Sequence, residues 1–209
     1  SITNDTRVFI RSLASRGSGN GLTHNIVDVL ELVDRQGFDE VIVETVGVGQ
    51  SEHGIRQLVD TLVLVLHPDA GDSVQAMKAG VMELADIYVV NKADLPAARL
   101  TALELRAILK TAKVQSSDPW IPPVVELTRD DAHGLAALTA ALEQHKTHAR
   151  RTRSEAEIET ARRRFHVRSL IERKANEALE AGTVDNLASP RRRFTELMMK
   201  MTESSQPPS

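Results

Sequence analysis

Four strand-like runs, the first three largely apolar, constrain this chain most: Val41-Ile42-Val43, Thr61-Leu62-Val63-Leu64-Val65-Leu66, Ile87-Tyr88-Val89-Val90 and Val124-Val125-Glu126-Leu127-Thr128. An aliphatic run without polar alternation reads as a strand covered on both faces, the kind found inside parallel sheets. Between the runs lie segments with helical spacing, so parallel strands joined by helical crossovers are expected. The predicted fold is α/β: a three-layer, mostly parallel sheet flanked by helices. In such sheets ligands sit at the carboxyl ends of the strands, so chemistry should lie in the residues just after each run.

Taken in order, Arg7-Val8-Phe9-Ile10-Arg11 reads as a short strand. It leads into Ser12-Leu13-Ala14-Ser15-Arg16-Gly17-Ser18-Gly19-Asn20-Gly21, a loop that suits either wrapping an anion or lying free on a surface. Leu22, Ile26, Val29, Leu30 and Val33 follow helical spacing to residue 36, and Gly37 is placed to end that helix. A strand over residues 40–46 and a helix over 53–60 come next. The second run gives a doubly buried strand, broken by His67-Pro68-Asp69-Ala70-Gly71-Asp72 ahead of a helix over 72–84. After the third run a helix spans 97–113, with Leu100, Leu103, Leu105, Ile108 and Leu109 largely on one side. The fourth run is followed by a helix to residue 148. From 154 to 181 there is no glycine or proline, and one apolar stripe predicts a long helix ended by Gly182. Ser189-Pro190 opens a last helix, and the polar tail 204–209 suggests disorder. The division expected is a domain over 1–148 and a helical extension over 149–209, whose apolar stripes suit a partner or a second copy.

Composition removes several functions. The 209 residues contain no cysteine, so disulfides and thiolate metal sites are excluded, which fits a cytoplasmic protein. Aromatics are 3% of the residues, so aliphatic side chains must fill the core. No apolar run is long enough for a membrane span. The net charge of −3 argues against nucleic-acid binding. Arg150-Arg151, Arg162-Arg163-Arg164 and Arg191-Arg192-Arg193 lie among glutamates, which favours solvated helix surfaces over a phosphate patch. The histidines (His24, His53, His133, His145 and His148) form no tight ligand spacing and are expected at the surface.

Two strand ends carry chemistry. Asn91-Lys92-Ala93-Asp94 closes the third run and is an N-K-x-D sequence, the guanine-reading element of GTP-binding proteins. An aspartate carboxylate accepts from two adjacent N–H donors of guanine, which adenine does not offer. The asparagine ties loops around the base, and the lysine stem lies along its face. The first run ends in Glu44-Thr45-Val46-Gly47-Val48-Gly49-Gln50-Ser51-Glu52. Its glycines would let backbone N–H groups approach an anion, although a buried strand with a glycine turn looks the same. Next to N-K-x-D it takes the place of a γ-phosphate sensor: Glu44 would hold a Mg²⁺-bound water and the Gly47 N–H would bond the phosphate. Gln50 is the candidate for orienting the attacking water, and a structural role is equally open. Glu52 either pairs with Arg11 or Arg16 or begins the next helix.

Residues 44–52, Phe9-Ile10-Arg11-Ser12 with its glycine loop, Gly71-Asp72-Ser73-Val74-Gln75-Ala76-Met77-Lys78-Ala79-Gly80 and Asn91–Asp94 together resemble the MeaB/ArgK/MMAA G-protein chaperones of adenosylcobalamin-dependent acyl-CoA mutases. The resemblance covers roughly residues 5–148, and the extension is similar in character to the family's dimerisation arm. It implies a P-loop GTPase of the SIMIBI type that binds GTP or GDP with Mg²⁺, gates cofactor loading onto methylmalonyl-CoA mutase or a related acyl-CoA mutase, and forms a homodimer. It further implies that Asp5 lies near Mg²⁺ in a first switch loop, that 44–52 is the second switch, and that 69–78 is a third. In that third switch Asp72, Gln75 and Lys78 would convey nucleotide state to the mutase, and Thr128 would belong to the base-binding loop. The chain departs from the family twice. No G-x-x-x-x-G-K-S/T phosphate loop occurs in it, so a partial chain that binds GTP poorly and scarcely hydrolyses it is expected. Where relatives read Thr-Ser-Ala, it has Thr128-Arg129-Asp130. A metal-delivery GTPase and a non-hydrolytic interaction module are the competing readings.

Overall fold

The structure is a computed structural model, and it describes residues 7–14, 22–23, 25–45, 52–68, 85–113, 120–180 and 189–203. Its elements are α1 (Ile26–Asp34), α2 (Glu52–Ile55), β1 (Val63–Leu66), β2 (Ile87–Asn91), α3 (Ala98–Lys113), β3 (Val124–Leu127), α4 (Ala132–Thr152), α5 (Glu155–Glu180) and α6 (Pro190–Glu203). Two compact units divide the chain. Ser1–Ser18, Thr23–Asp39 and Arg163–Ser209 make one; Gly19–Leu22 and Glu40–Arg162 make the other.

The second unit holds the sheet. Its strands run β1-β2-β3, both pairs parallel, with Val63 opposite Ile87, Tyr88 opposite Val124 and Asn91 opposite Leu127. The central strand β2 is buried on both faces, as its unbroken apolar run predicts. Tyr88 and Val90 pack on one face with Ala98, Ala102, Leu105 and Leu109 of α3. Ile87 and Val89 face the other way, onto Val125 and Ala141, with Leu138 and Leu142 of α4 closing over them. Helix, sheet and helix therefore form three layers.

Gly134 allows α4 to lie this close. A Cβ there would stand 2.9 Å from the Glu126 carbonyl oxygen and 2.5 Å from an Asp131 carboxylate oxygen. Asp131 also caps α4, its carboxylate accepting from the His133 N–H at 3.0 Å.

Several expected elements differ. Residues 41–45 are not a strand, and Ile42 is 93% exposed. β-Branched residues favour a strand only when a neighbour supplies ladder bonds, and among the described residues none joins 41–45 to β1. For the same reason β1 is a half-covered edge strand rather than a doubly buried one, with Val65 57% exposed. Arg7–Ala14 is likewise irregular and exposed, with a tilted contact between Phe9 and Phe38 at 6.4 Å. Helix α1 starts four residues later than the spacing suggests, although Gly37, at φ +76°, follows it as expected. Helix α2 ends at Ile55 and tightens into a turn, with Gln57 N–H donating to Gly54 and Leu58 N–H to Ile55. In α3 the buried stripe is Ala98, Thr101, Ala102, Leu105 and Leu109, while Leu100 and Leu103 are 65% and 53% exposed. Small residues win the sheet-facing positions because they let the helix approach β2 closely.

The long glycine-free helix is present as α5, and Ser189-Pro190 does open α6. Within the first unit, His166 Nε2 lies 3.2 Å from a carboxylate oxygen of Asp28. The expected helix over 72–84, Gly182 and the tail 204–209 lie outside the described residues.

Candidate functional site

The N-K-x-D residues stand where buried-strand logic puts them. Asn91 is the last residue of β2, so the turn Lys92–Asp94 emerges at the carboxyl end of the central strand. Two bonds fix the turn besides its own closing bond from the Leu95 N–H to the Lys92 carbonyl at 3.0 Å. The Asn91 side-chain oxygen accepts from the Lys92 N–H at 2.9 Å, and the Ala93 N–H donates to the Leu127 carbonyl at 3.1 Å. The second bond ties the turn to the end of β3, next to Thr128. Lys92 and Asp94 are exposed, while Asn91 and Thr128 are half-buried.

The neighbouring loop is a tight turn, Thr128–Asp131, closed by the Asp131 N–H on the Thr128 carbonyl at 3.4 Å. Lys92 at φ +53° and Asp130 at φ +62° are the two non-glycine residues with positive φ among the described residues. Both lie at this edge of the sheet, in the two loops that the Ala93–Leu127 bond joins. Non-glycine residues held in this region cost of order 1 kcal/mol each and cluster at binding sites.

Glu44 is exposed, and among the described residues its carboxylate has no partner. Arg11 is exposed in the irregular segment of the first unit. Asp5, Arg16, Gly47, Gln50, Asp72, Gln75 and Lys78 lie outside the described residues, as does His24, and the side chain of Glu52 is not described. Among the described residues, no three His, Cys, Asp or Glu side chains gather as they would to hold a metal.

The opposite, amino end of the sheet holds a buried polar network that no sequence motif announces. Asp86, just before β2, is its hub. One carboxylate oxygen accepts from the Leu62 N–H at 2.8 Å and lies 3.0 Å from Arg56 Nη1. The other accepts from Arg56 Nη2 at 3.1 Å and from His145 Nε2 at 3.2 Å. The other ring nitrogen, His145 Nδ1, lies 2.8 Å from the Thr61 hydroxyl, and which of the two donates depends on the ring tautomer. The Asp86 carbonyl takes the Trp120 indole N–H at 2.8 Å, and the indole stacks on His148 at 5.3 Å and meets the His145 ring edge-on at 5.0 Å.

Burial alone would push the Asp86 carboxyl up, but the His145 hydrogen bond, the Leu62 N–H and the Arg56 charge together hold it below its ordinary value. Beside it, Tyr88 is pushed well above the usual phenol value, by burial first and the Asp86 charge second. His145 is 3% exposed, which corrects the expectation of a surface histidine. Ligand spacing tests only for metal sites, whereas the informative signal was an aspartate at the threshold of a doubly buried strand. Such a carboxylate must find cationic and N–H partners.

Known proteins are similar to this chain. The family model described as methylmalonyl Co-A mutase-associated GTPase MeaB matches residues 1–184. The chain belongs to the MeaB family. A protein named "Putative GTPase" from Pyrococcus horikoshii is 43% identical over 166 residues, 75% of this chain and 52% of that protein. One named "Probable GTPase" from Mycobacterium tuberculosis is 40% identical over 141 residues, covering 66% of the chain and 42% of that protein. The mouse protein named "Methylmalonic aciduria type A homolog, mitochondrial" is 33% identical over 141 residues, 66% of the chain and 34% of its own length. The chain thus spans about half the length, or less, of these relatives. As regards membranes, no described helix is long and apolar enough to cross one.

Proposed function

We propose that this MeaB-family chain carries the guanine-reading part of a GTPase that gates cofactor loading onto, and protects, an adenosylcobalamin-dependent acyl-CoA mutase. One observation carries the reading: Asn91-Lys92-Ala93-Asp94 ends the buried central strand and is bonded to the end of β3 beside Thr128. Asp94 would accept from the two guanine N–H donors, Lys92 would lie along the base, and Asn91 and Thr128 would brace the two loops. The exposed Asp94 fits that task, since its carboxylate oxygens are open to accept from a base.

Glu44, with Asp5, would hold Mg²⁺. An exposed carboxylate fits an ion that takes only one or two carboxylates and completes its shell with phosphate oxygens and water. Gly47 would bond the terminal phosphate and Gln50 orient the water during hydrolysis of GTP to GDP and phosphate. Arg11, Arg16, Asp72, Gln75 and Lys78 would pass nucleotide state to the mutase. Residues 149–209 are assigned as a homodimerisation arm of a cytoplasmic protein, a reading supported by the exposed Val167 and Ile171 of α5 and Phe194 of α6.

The test is an NMR titration of the 209-residue chain, ¹⁵N-labelled, with GDP and, separately, ADP at millimolar concentration. Larger and tighter shifts with GDP, centred on Asn91–Asp94 and Thr128, are expected. Equal responses to the two nucleotides would remove the guanine-reading role.

A further inference from the structure

The chain contains no cysteine and five methionines, so all of its oxidisable sulfur is thioether. Among the described residues, Met198 and Met199 are open to solvent, 44% and 60% exposed. Both stand on α6, the helix that also presents Phe194, 63% exposed. Methionine is unbranched and polarisable, so it suits an adaptable apolar contact surface. The same sulfur is open to oxidants wherever solvent reaches it, and the sulfoxide that results is polar. Helical spacing separates the two residues. Met198 follows Phe194 by four positions and shares its face, whereas Met199 follows it by five and stands on another side of the helix. Met199 comes four positions after Thr195 and seven after Arg192, on a polar flank. There the Thr195 hydroxyl donates to the Arg191 carbonyl at 3.0 Å, and Arg192 pairs with Glu196 at 3.1 Å. Phe194 and Met198 are thus a small apolar stripe, and Met199 lies outside it.

We infer that Met198 is an oxidation site through which a hydroperoxide weakens self-association of this chain. The inference rests on the assignment of residues 149–209 as a homodimerisation arm, and adds a means of regulating it. The Met198 sulfur attacks one oxygen of hydrogen peroxide as the O–O bond breaks. An S–O bond forms, the sulfur is oxidised and the peroxide is reduced. The proton on the transferred oxygen passes to the departing hydroxide, which leaves as water. The product carries an S–O dipole on the face that holds Phe194. Burying that dipole against a second copy without a hydrogen-bond partner opposes association. In a two-fold dimer the same patch is used by both copies, so the loss occurs twice. Oxidation of Met199 adds a polar group to a flank that is polar already, and changes little.

The test follows self-association of the full 209-residue chain by sedimentation equilibrium, before and after treatment with hydrogen peroxide. Peptide mass mapping locates the added oxygen, and circular dichroism records the helix content. Each chain is judged by its own ratio of dissociation constants after and before treatment, so a variant's starting affinity does not enter. The parent and Met199→Leu should both weaken roughly tenfold or more. Met198→Leu should stay within about twofold of its untreated value, because leucine offers no sulfur to oxidise. Untreated Met198→Gln should associate more weakly than the untreated parent, since a polar group then occupies the same place. Equal weakening in Met198→Leu overturns the inference, because another residue would then carry the effect. Protection by Met199→Leu as complete as that by Met198→Leu overturns it too, as does a treated parent in which Met198 gains no oxygen. A treated parent that loses helix in step with its association also overturns it, because unfolding would then be the cause. A parent that dimerises and keeps its affinity after Met198 is oxidised removes this inference alone. A parent that stays monomeric at every concentration removes the homodimer assignment, and the inference falls with it.

Discussion

The two ends of the three-stranded sheet are built from similar residue types and put them to opposite uses. At the amino end, Asp86, Arg56, His145, Thr61 and Trp120 are buried or half-buried and bond to one another, although Arg56 Nη1, 3.0 Å from the Asp86 carboxylate, makes no hydrogen bond. At the carboxyl end, Lys92, Asp94, Arg129 and Asp130 are exposed, and two of them are held in a costly backbone region. A polar cluster that closes on itself has spent its hydrogen-bonding capacity on the fold. A cluster that leaves donors and acceptors open, on a backbone braced into an unfavourable shape, is arranged for something outside the chain. On the function proposed above, the site lies at the open, exposed end of the strand rather than where polar groups are buried.

The contrast can be broken most forcefully at the amino end. Asp86→Ala would strand Arg56, the Leu62 N–H and His145 together, and should cost about 3–5 kcal/mol in urea denaturation while leaving any nucleotide selectivity intact in the fraction that remains folded. A loss below about 1 kcal/mol would mean that the network does not hold the strand entrances. Gly134→Ala comes next. Its methyl would press on the Glu126 carbonyl where α4 crosses β3, so a loss of roughly 1–3 kcal/mol in the same assay is expected.

The acid limb of stability sharpens the comparison further. Because the folded value of Asp86 is depressed, its contribution is complete above the ordinary value of 3.8 and is lost as pH falls below that toward the folded value. Stability measured from about pH 6 down to about pH 2 should fall less steeply in Asp86→Asn than in the parent, and parallel curves would contradict the ion-pair account. The smallest effect belongs to a surface contact. Glu126→Gln weakens a pair in which Arg106 Nη2 lies 2.9 Å from the Glu126 carboxylate, both side chains at least about a third exposed. It should shift stability by less than about 1 kcal/mol, and a larger loss would show that exposure alone does not separate the two classes of contact.

Much of this was legible in the sequence, for identifiable reasons. The strand Ile87–Asn91 is an unbroken apolar run as far as Val90, and it is found as the buried strand that such a run predicts. Helices α3 and α5 follow from apolar spacing without glycine or proline. The errors share one cause. Val41-Ile42-Val43 and Val8-Phe9-Ile10 have strand composition, but a strand needs a neighbour, and pairing is not written in a local window. Leu100 and Leu103 fit the helical stripe by hydrophobicity, yet Ala98 and Ala102 occupy it because close approach to β2 favours small side chains. Asp86 and His145 lie far apart in sequence and meet only in the fold, so no motif reveals them. The left-handed conformation of Asp130 was equally invisible, since the same residue in a type I turn would read no differently.

The central claim is that the carboxyl end of β2 reads guanine through Asp94. Asp94→Asn replaces a pure acceptor with a group that also donates. It should repel the N–H pair of guanine and accept xanthine, which carries a carbonyl in place of the exocyclic amine. Binding of GDP and of xanthosine diphosphate to the parent chain and to Asp94→Asn decides the matter. The account predicts that GDP affinity falls at least about tenfold and that the order of preference reverses. An Asp94→Asn chain that binds the two nucleotides as the parent does would contradict it.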